Sequence, residues 1–393
     1  MTILHIPSWF PNPQKPLDGN FILRHIAAVA PHTRSIVLHH TEQAFKEKLD
    51  SLIDDSAIFY PINNVFKHSK WSLFRAYNKA FRDIVRQYGK PDIIHLHVAL
   101  PMGPLAAWLS IRYRIPLIIS EHWSVYQPQN RHQLSILQRL QLWFTYRRAA
   151  LLTTVSEDLH HAISETVRAA RKVPWQHVNN VVDTDLFTPG PSLMSGDDVQ
   201  HILHVSSLED VSKNIMGILC AVRKLRDIRQ DFVLDIVHDL RNVEVERFIE
   251  EYKMGDYVRL LGKMDSAGVA EHVRRCAFML QFSNYENQPC VLIEAFAAGK
   301  PVLATRAGGI PEIVIPSRGH LVAPKDEESL LEQLQYMLDH SRDFDGTAIR
   351  DYAVRNFSVR HIGQALYNIY GMVLGQDCTE TPSKEATLPS GGC

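Results

Sequence analysis

The chain has 393 residues, 45% of them hydrophobic, and its 42 Lys and Arg nearly balance its 43 Asp and Glu. This length predicts two or three domains with sizeable cores, and a net charge of -1 excludes a protein that binds nucleic acid through a general basic surface. The five cysteines lack CxxC spacing, which argues against a disulfide scaffold or a zinc ribbon and favours a reducing compartment.

The N-terminus carries no recognisable sorting signal. Met1 leads directly into an apolar strand pattern, without the charged region and long apolar run of a secretion signal. No window contains about 18 consecutive apolar residues, the length that a membrane span needs. We therefore expect a cytoplasmic protein with at most a peripheral contact at the inner face of a membrane.

The first half of the chain alternates strand and helix patterns. Apolar runs predict strands over 2–8, 35–39, 58–61, 92–97, 115–123 and 151–156, with helices over 21–30, 66–88 and 131–148. Such alternation predicts a parallel sheet with right-handed crossovers. The Pro-, Gly- and Ser-rich segment 188–198 then marks the clearest domain boundary.

The helices 66–88 and 131–148 are both basic and amphipathic. The apolar stripe of the first helix consists of Trp71, Phe74, Phe81, Ile84, Val85 and Tyr88. The apolar side of the second helix consists of Leu134, Leu137, Leu140 and Phe144. We interpret both as faces that pack in the core. Contact with a membrane surface, or with an acceptor carried on a lipid, is the alternative.

His95 and His97 lie on one face of the strand 92–97, because side chains two residues apart in a strand point the same way. No third ligand with suitable spacing follows them, so we predict no metal site. We expect both near the cleft at the carboxyl end of the sheet, and a purely structural role for His95 is equally consistent with the pattern.

The second half repeats the alternation. Strands are predicted over 201–206, 232–238, 258–261, 278–282 and 302–305, and helices over 267–276, 330–339 and 359–374. The tail 376–393 is rich in Thr, Ser, Pro and Gly, and we expect it to be disordered. The prediction is a second parallel sheet with its own helices.

The stretch from Ser283 to Glu312 is the most informative part of the sequence. Pro289 suits the first turn of a short helix over 290–298, Asn287 or Gln288 can cap this helix, and Gly299 with Pro301 ends it. The unpaired amides of Cys290, Val291 and Leu292, at the positive end of the helix dipole, predict an anion site. A phosphate group suits that site.

Two carboxylates, Glu286 and Glu294, bracket this predicted phosphate site. Carboxylates accept hydrogen bonds from hydroxyl groups, so that one suits a sugar and the other a ribose. The strand 302–305 and the glycines Gly308 and Gly309 then allow backbone to approach a ligand closely. The combination predicts a site for a nucleotide sugar.

The order of residues from Ser283 to Glu312 resembles the signature of the family-4 retaining glycosyltransferases, which have the GT-B fold. It reads Ser-x-x-Glu-x-x-Pro-x-x-x-x-Glu-Ala-x-Ala-x-Gly-x-Pro-Val, followed by Gly-Gly-x-x-Glu. The resemblance extends over nearly the whole chain except the tail. It implies an α/β architecture of two Rossmann-like domains facing a cleft.

The resemblance also implies site residues in the rest of the chain. His122 matches a histidine beside the transferred sugar, and Lys213 matches a lysine that binds the donor phosphates. Ser207 stands where the family has a second phosphate-binding arginine. Gly262 and Met264 match the backbone that meets the nucleotide base, and Gly19 lies in a glycine-bearing loop that faces the donor diphosphate or the acceptor.

The implied organisation is an acceptor-side domain over 1–187, joined by a C-terminal helix over 359–375, and a nucleotide-sugar-binding domain over 199–358. The implied catalytic residues are Glu286, His122 and Lys213. Pro289, Cys290, Val291, Leu292 and Glu294 complete the implied donor site.

The expected activity is transfer of a hexosyl unit from a nucleotide diphosphate sugar to a hydroxyl acceptor, with retention, no metal and no cofactor. The acceptor is expected to be a surface polysaccharide or a lipid-linked glycan. A nucleotide-sugar epimerase of the same fold and a catalytically silent scaffold are the alternatives, the latter suggested by Ser207. A nicotinamide oxidoreductase is disfavoured, because no GxGxxG follows the first strand.

Overall fold

A computed structural model describes residues 1–12, 18–39, 57–62, 70–190 and 199–376. The predicted disordered tail beyond residue 376 and residues 191–198 of the predicted linker lie outside these ranges. The described residues form two α/β domains, each built around a parallel sheet, so the predicted fold class is confirmed.

The first sheet has seven parallel strands in the order β3-β2-β1-β4-β5-β6-β7. They are β1 (Thr2–Pro7), β2 (Arg34–His39), β3 (Ala57–Pro61), β4 (Ile93–His97), β5 (Leu117–Glu121), β6 (Ala149–Thr154) and β7 (Trp175–His177). The strands alternate with α1 (Asn20–Val29), α2 (Lys70–Tyr88), α3 (Gly103–Tyr113), α4 (Ile136–Tyr146) and α5 (Glu157–Thr166). The carboxyl ends of all seven strands therefore meet at one edge, where the loops can form a site.

The second sheet has six parallel strands in the order β10-β9-β8-β11-β12-β13. They are β8 (Gln200–Ser206), β9 (Phe232–His238), β10 (Val258–Gly262), β11 (Phe278–Gln281), β12 (Val302–Thr305) and β13 (Gly319–Val322). Nine helices follow β7 in the part of the chain that the structure describes. They are α6 (Asp210–Lys213), α7 (Ile215–Ile228), α8 (Val243–Glu251), α9 (Ser266–Arg275), α10 (Cys290–Ala297), α11 (Ile310–Ile313), α12 (Glu327–His340), α13 (Gly346–Phe357) and α14 (Val359–Leu374).

The last helix lies on the first domain. α14 packs against α1, and its residues Ile362, Leu366 and Tyr370 are buried in a core shared with Ile3 and Ile93. Just before α14, Ser358 forms a parallel bridge with Val182. The C-terminal end of the described chain thus covers the sheet that the N-terminus begins.

The predicted packing of the helix 131–148 is wrong in part. Residues 131–133 form a separate 3₁₀ turn, and α4 begins only at Ile136, where Ser135 caps it. Leu134 is buried as expected, but Leu137 and Leu140 are exposed. Their period placed them on one side of a helix, but the core of the first domain lies on the other side, at Leu142 and Tyr146.

No helix among the described residues is long and apolar enough to cross a membrane.

Candidate active site

A cavity of about 310 Å³ lies between the two domains, at the carboxyl ends of both sheets. The first domain contributes Phe21, His122, Ser124 and Val155. The remaining lining residues come from the connecting segment and the second domain: Asn180, Glu209, Ser212, Lys213, Tyr285, Glu286, Asn287, Gln288 and Cys290. Four of the residues singled out from sequence, His122, Lys213, Glu286 and Cys290, therefore line one space.

Lys213 and Glu286 form an ion pair in this cavity. Lys213 Nζ donates to Glu286 Oε1 at 2.5 Å, and both side chains are largely buried. The same oxygen accepts from Ser283 Oγ at 2.9 Å and from Gln281 Nε2 at 3.2 Å. Three donors thus fix the carboxylate, and the ammonium group is held at the cavity wall.

The beginning of α10 differs from the prediction. Pro289 is itself the capping residue, and no side chain caps the helix. The Leu292 amide, predicted to be free, donates to Pro289 O at 3.2 Å. Among the described residues, Cys290 and Val291 remain as the amides at this helix end that can meet an anion. Burial raises the pKa of the Cys290 thiol to about 11, so the side chain brings no negative charge there.

The two predicted capping residues instead connect the domains. Asn287 Nδ2 donates to His122 O at 2.7 Å. Gln288 accepts from the Asn180 backbone at 2.6 Å and donates to Asn179 Oδ1 at 2.6 Å. Capping was the wrong prediction because a local pattern cannot show that stronger partners lie across the cleft.

Glu312, the last residue of the signature, also reaches across the cleft. Its two carboxylate oxygens accept from the backbone amides of Glu157 and Asp158, each at 2.9 Å. These amides open α5, so the carboxylate satisfies unpaired donors at the positive end of that helix. The contact joins the donor-side loop to the first domain.

Glu294 has a partner that sequence analysis missed. Arg24, on α1 of the first domain, donates to Glu294 Oε1 at 2.9 Å and to Val181 O at 3.4 Å. Burial disfavours the charged guanidinium, yet the nearby Glu294 raises the pKa of Arg24 above its ordinary value. No local motif identifies Arg24, because its partner lies 270 residues away.

His122 is held in place by a buried carboxylate. Glu121 accepts from the amides of His122 at 2.9 Å and Trp123 at 3.0 Å, and from the Tyr126 hydroxyl at 2.9 Å. Burial raises the pKa of Glu121, and these hydrogen bonds counteract the rise. Burial also holds the pKa of His122 well below its ordinary value, with a contribution from His25, so the imidazole is neutral.

His95 and His97 are fully buried, and a third possible ligand, which the sequence analysis did not find, lies beside them. His5 on β1 lies beside them, with ligand atoms of all three within 4.8 Å of one another. His95 bonds Tyr370 and Ser120, each at 2.7 Å, and His5 Nδ1 lies 3.1 Å from His97 Nε2. Because His5 lies 92 residues before His97, the search for a ligand of suitable spacing after the pair could not find it.

These histidines are already hydrogen-bonded as neutral rings, except at His97 Nδ1, which has no partner. His95 is covered by α14 and does not line the cavity, so its structural interpretation fits better than the expected position near the cleft.

Eight of the predicted donor-site residues lie outside the cavity lining: Pro289, Val291, Leu292 and Glu294 at α10, and Gly19, Ser207, Gly262 and Met264 elsewhere. Gly19 has φ +64° and precedes α1, and a Cβ there would lie 2.6 Å from Trp9 O, so the close approach is to the protein's own backbone. Ser207 is half-buried after β8. Gly262 ends β10 with φ +72°, and Met264 packs partly against the core of the second domain.

A larger cavity, of about 610 Å³, lies along β13. Arg306, His320 and Asp326 are among its lining residues. None of the predicted site residues lines this cavity, and it has no wall from the first domain. We regard the smaller cavity as the candidate site because it joins both domains around charged, fixed side chains.

Two family models match the chain in succession. The model described as "Glycosyltransferase Family 4" matches residues 22–186, and the one described as "Glycosyl transferases group 1" matches residues 192–348. The boundary between them falls in the segment predicted to link the domains.

Similar proteins and structures agree with these matches. An uncharacterised glycosyltransferase of Methanocaldococcus jannaschii is 27% identical over 66% of this chain and 68% of its own length. The N-acetyl-alpha-D-glucosaminyl L-malate synthase of Bacillus anthracis is 25% identical over 80% of this chain and 82% of its own. The structure of Anabaena HepE in complex with UDP is 19% identical, with a TM-score of 0.76 over 95% of this chain and 100% of its own.

Proposed function

The chain belongs to the group 1 glycosyltransferases of the GT-B fold, and we propose that it moves a hexosyl unit from a nucleotide diphosphate sugar to a hydroxyl acceptor with retention. The observation that carries this proposal is the cavity between the domains, where Lys213, Glu286 and the start of α10 face His122. These groups provide a cation, helix-end amides and a fixed carboxylate around one space.

The donor diphosphate is proposed to lie at the start of α10. The amides of Cys290 and Val291 and the ammonium group of Lys213 would stabilise the charge that develops as the diphosphate leaves. HepE, which shares the fold, binds UDP. That likeness supports a nucleotide donor here and does not identify the base.

The sugar and the ribose are proposed to bind on either side of the diphosphate. Glu286 would accept hydrogen bonds from sugar hydroxyls, and Glu294 from the ribose diol. The neutral imidazole of His122 would contact the sugar or the acceptor without adding a charge.

In the transfer step, the bond from the anomeric carbon to the diphosphate oxygen breaks, and its electron pair leaves with the diphosphate. The acceptor oxygen bonds to the same carbon on the face that the diphosphate leaves, and its proton passes to the departing phosphate oxygen. Glu286 and Glu294 both come from the second domain, which argues against paired carboxylates on opposite faces of the sugar. No metal or cofactor takes part in this proposal.

For the acceptor we propose a growing surface polysaccharide or a lipid-linked glycan, met at the cytoplasmic face of a membrane. Both family models describe transferases, which argues against the epimerase alternative. A catalytically silent scaffold differs in its prediction, because it need not bind a nucleotide.

The first test is a thermal-shift titration of the protein with UDP, GDP and ADP and their sugars, with and without EDTA. A ligand that binds only the folded protein raises the unfolding midpoint with its concentration. We expect one nucleotide to do so selectively, equally with EDTA. The absence of a shift from every nucleotide would contradict the proposal and favour the scaffold.

Once a donor is identified, Lys213→Ala is expected to lower kcat/KM by about 10²–10³-fold, because the leaving diphosphate loses its cation. Lys224→Ala, which removes an exposed lysine on α7 of the same domain, is the matched control and should retain full activity. Equal activity of the two variants would overturn the assignment of Lys213.

A further inference from the structure

The outward side of α4 is apolar. The exposed fractions are 80% for Ile136, 57% for Leu137, 59% for Leu140 and 46% for Trp143. At 100° per residue these four positions fall on one side of the helix. The opposite side, with Leu142 and Tyr146, is fully buried in the core of the first domain. The helix is therefore apolar both towards the core and towards solvent.

The charged residues of the segment that contains α4 are all arginines, of which Arg131 pairs with Glu165 at 3.4 Å. Between Glu121 and Glu157 the sequence contains four arginines and no acidic residue. Arg139, Arg147 and Arg148 are exposed. The Arg147 guanidinium lies 5.2 Å from the centre of the Trp143 ring, so that cation and apolar group occupy one surface.

The neighbouring helices extend this positive surface. α3 packs against α4, and Trp108 of α3 contacts Phe74 of α2 with ring centres 4.7 Å apart. Exposed cations on these helices are Arg75, Lys79, Arg82, Arg86 and Arg112. Their one acidic residue, Asp83, pairs with Arg86 at 3.2 Å. Ile111, 43% exposed, adds an apolar group on α3.

We propose that the outer surface of α2, α3 and α4, termed here the α2–α4 surface, docks on an anionic lipid membrane. Apolar side chains can enter the boundary between headgroups and acyl chains, while arginines beside them meet anionic headgroups. A second copy of this chain fits less well, because two such surfaces would bring arginines against arginines.

The start of α4 is connected to the wall of the cavity between the domains, so that docking on a membrane would bring the cavity close to the lipid surface. Ser124 lines the cavity, and its backbone carbonyl accepts a hydrogen bond from Asn130 Nδ2 at 3.1 Å. Ser135, which caps α4, is five residues further along, so at most about 18 Å of chain separates it from that contact. A membrane on the α2–α4 surface would therefore lie beside the cavity mouth.

The use of this docking rests on the proposed function: a lipid-linked acceptor would present its saccharide from the membrane to the cavity. Docking itself does not depend on that function. Membrane binding and transfer can therefore fail independently, and they are measured separately.

The test is flotation of the purified protein with two kinds of vesicle. One contains phosphatidylcholine alone, and the other contains phosphatidylcholine and phosphatidylglycerol in roughly equal parts. We expect the protein to float with the anionic vesicles only, and high salt to weaken this binding because it screens exposed charge.

The test variant is Leu137→Gln, Leu140→Gln and Trp143→Gln together, which keeps good helix formers while removing the apolar side. We expect at least about a tenfold loss of binding to the anionic vesicles, because three inserted side chains are lost. The matched control is Ile228→Gln, Leu240→Gln and Val243→Gln, which removes three exposed apolar residues of the second domain and should bind like the unmodified protein.

Three outcomes would overturn the proposal. The first is no flotation of the unmodified protein with anionic vesicles, and the second is equal flotation of the two triple variants. The third is that the unmodified protein is a dimer and that only the variant at Leu137, Leu140 and Trp143 is a monomer. The last outcome would assign the apolar side to contact between copies. A normal unfolding midpoint for both variants is required for the comparison.

Discussion

Arg24 and Glu294 show how a single residue can join the two domains. Arg24 lies on a helix of the first domain, and its guanidinium neutralises a carboxylate that is only 6% exposed in the second. A largely buried charge is costly without its partner, so this pair has to be kept or lost as a unit. If Glu294 binds the ribose, Arg24 also fixes the carboxylate that receives it.

We expect Arg24→Ala to lower the free energy of unfolding by about 1–3 kcal/mol, because it leaves Glu294 without its cation. The double variant Arg24→Ala with Glu294→Gln should recover part of this loss, because a neutral amide needs no counter-charge. Urea unfolding of both single variants and the double variant gives the coupling energy. Strictly additive losses would show that the two residues do not stabilise each other.

At the scale of elements, the turn after β12 depends on one glycine. Gly308 has φ +53°, and a Cβ there would lie 1.7 Å from the carbonyl oxygen of Glu286. The backbone of the predicted donor loop thus packs directly on the turn. Gly89 also has a positive φ, +85°, but a Cβ there meets no atom within 4 Å.

The two glycines allow a matched comparison. Gly89→Ala should lower the free energy of unfolding by about 1–2 kcal/mol, because alanine is strained in a left-handed backbone conformation even where its Cβ meets no other atom. Gly308→Ala should cost more and should also reduce the midpoint shift caused by the donor nucleotide, because the Glu286 loop must move. Thermal unfolding with and without nucleotide measures both effects. Similar results for the two variants would mean that the turn at Gly308 can accommodate a Cβ without displacing the loop that contains Glu286.

At the scale of the whole molecule, buried histidines make folding sensitive to acid. Burial lowers the pKa of His5 from 6.5 to about 3 and that of His204 to about 4. It holds the pKa of His95 and His97 well below the ordinary value, with further lowering by neighbouring histidines. These side chains are spread over both sheets and stay neutral while the protein is folded.

The sign of the pH effect follows from this neutrality. Below about pH 6.5 these histidines bind protons in the unfolded chain but not in the folded protein. Their contribution to the free energy of unfolding is therefore fully present above that pH and is lost as the pH decreases towards about 3–4. Each such histidine contributes a slope of about 1.4 kcal/mol per pH unit inside this window.

Urea unfolding at a series of pH values between neutral and mildly acidic measures that slope. His5→Gln should make it shallower whatever the variant's stability at neutral pH. His132→Gln, at an exposed position, is the control and should leave the slope as it is. An unchanged slope in His5→Gln would show that His5 takes up its proton in the folded protein.

The sequence by itself determined the alternation of strands and helices, the two parallel sheets and the short helix that begins at Cys290. Each depends on local properties, namely apolar periodicity, a proline with fixed φ and a glycine stop. It also marked Lys213, Glu286 and His122, which the fold brings to one cavity. Their roles there stay predictions.

Only the tertiary structure decided which side chains meet and which faces are covered. Arg24 pairs with Glu294, and His5 lies beside His95 and His97. Asn287 donates to the carbonyl oxygen of His122 instead of capping α10. Leu137 and Leu140 lie on a regular apolar stripe, yet the core of the first domain covers the other side of their helix. The physical reason is common to all of these cases. Periodicity describes one element at a time, whereas a contact depends on the register and crossover of elements far apart in the chain.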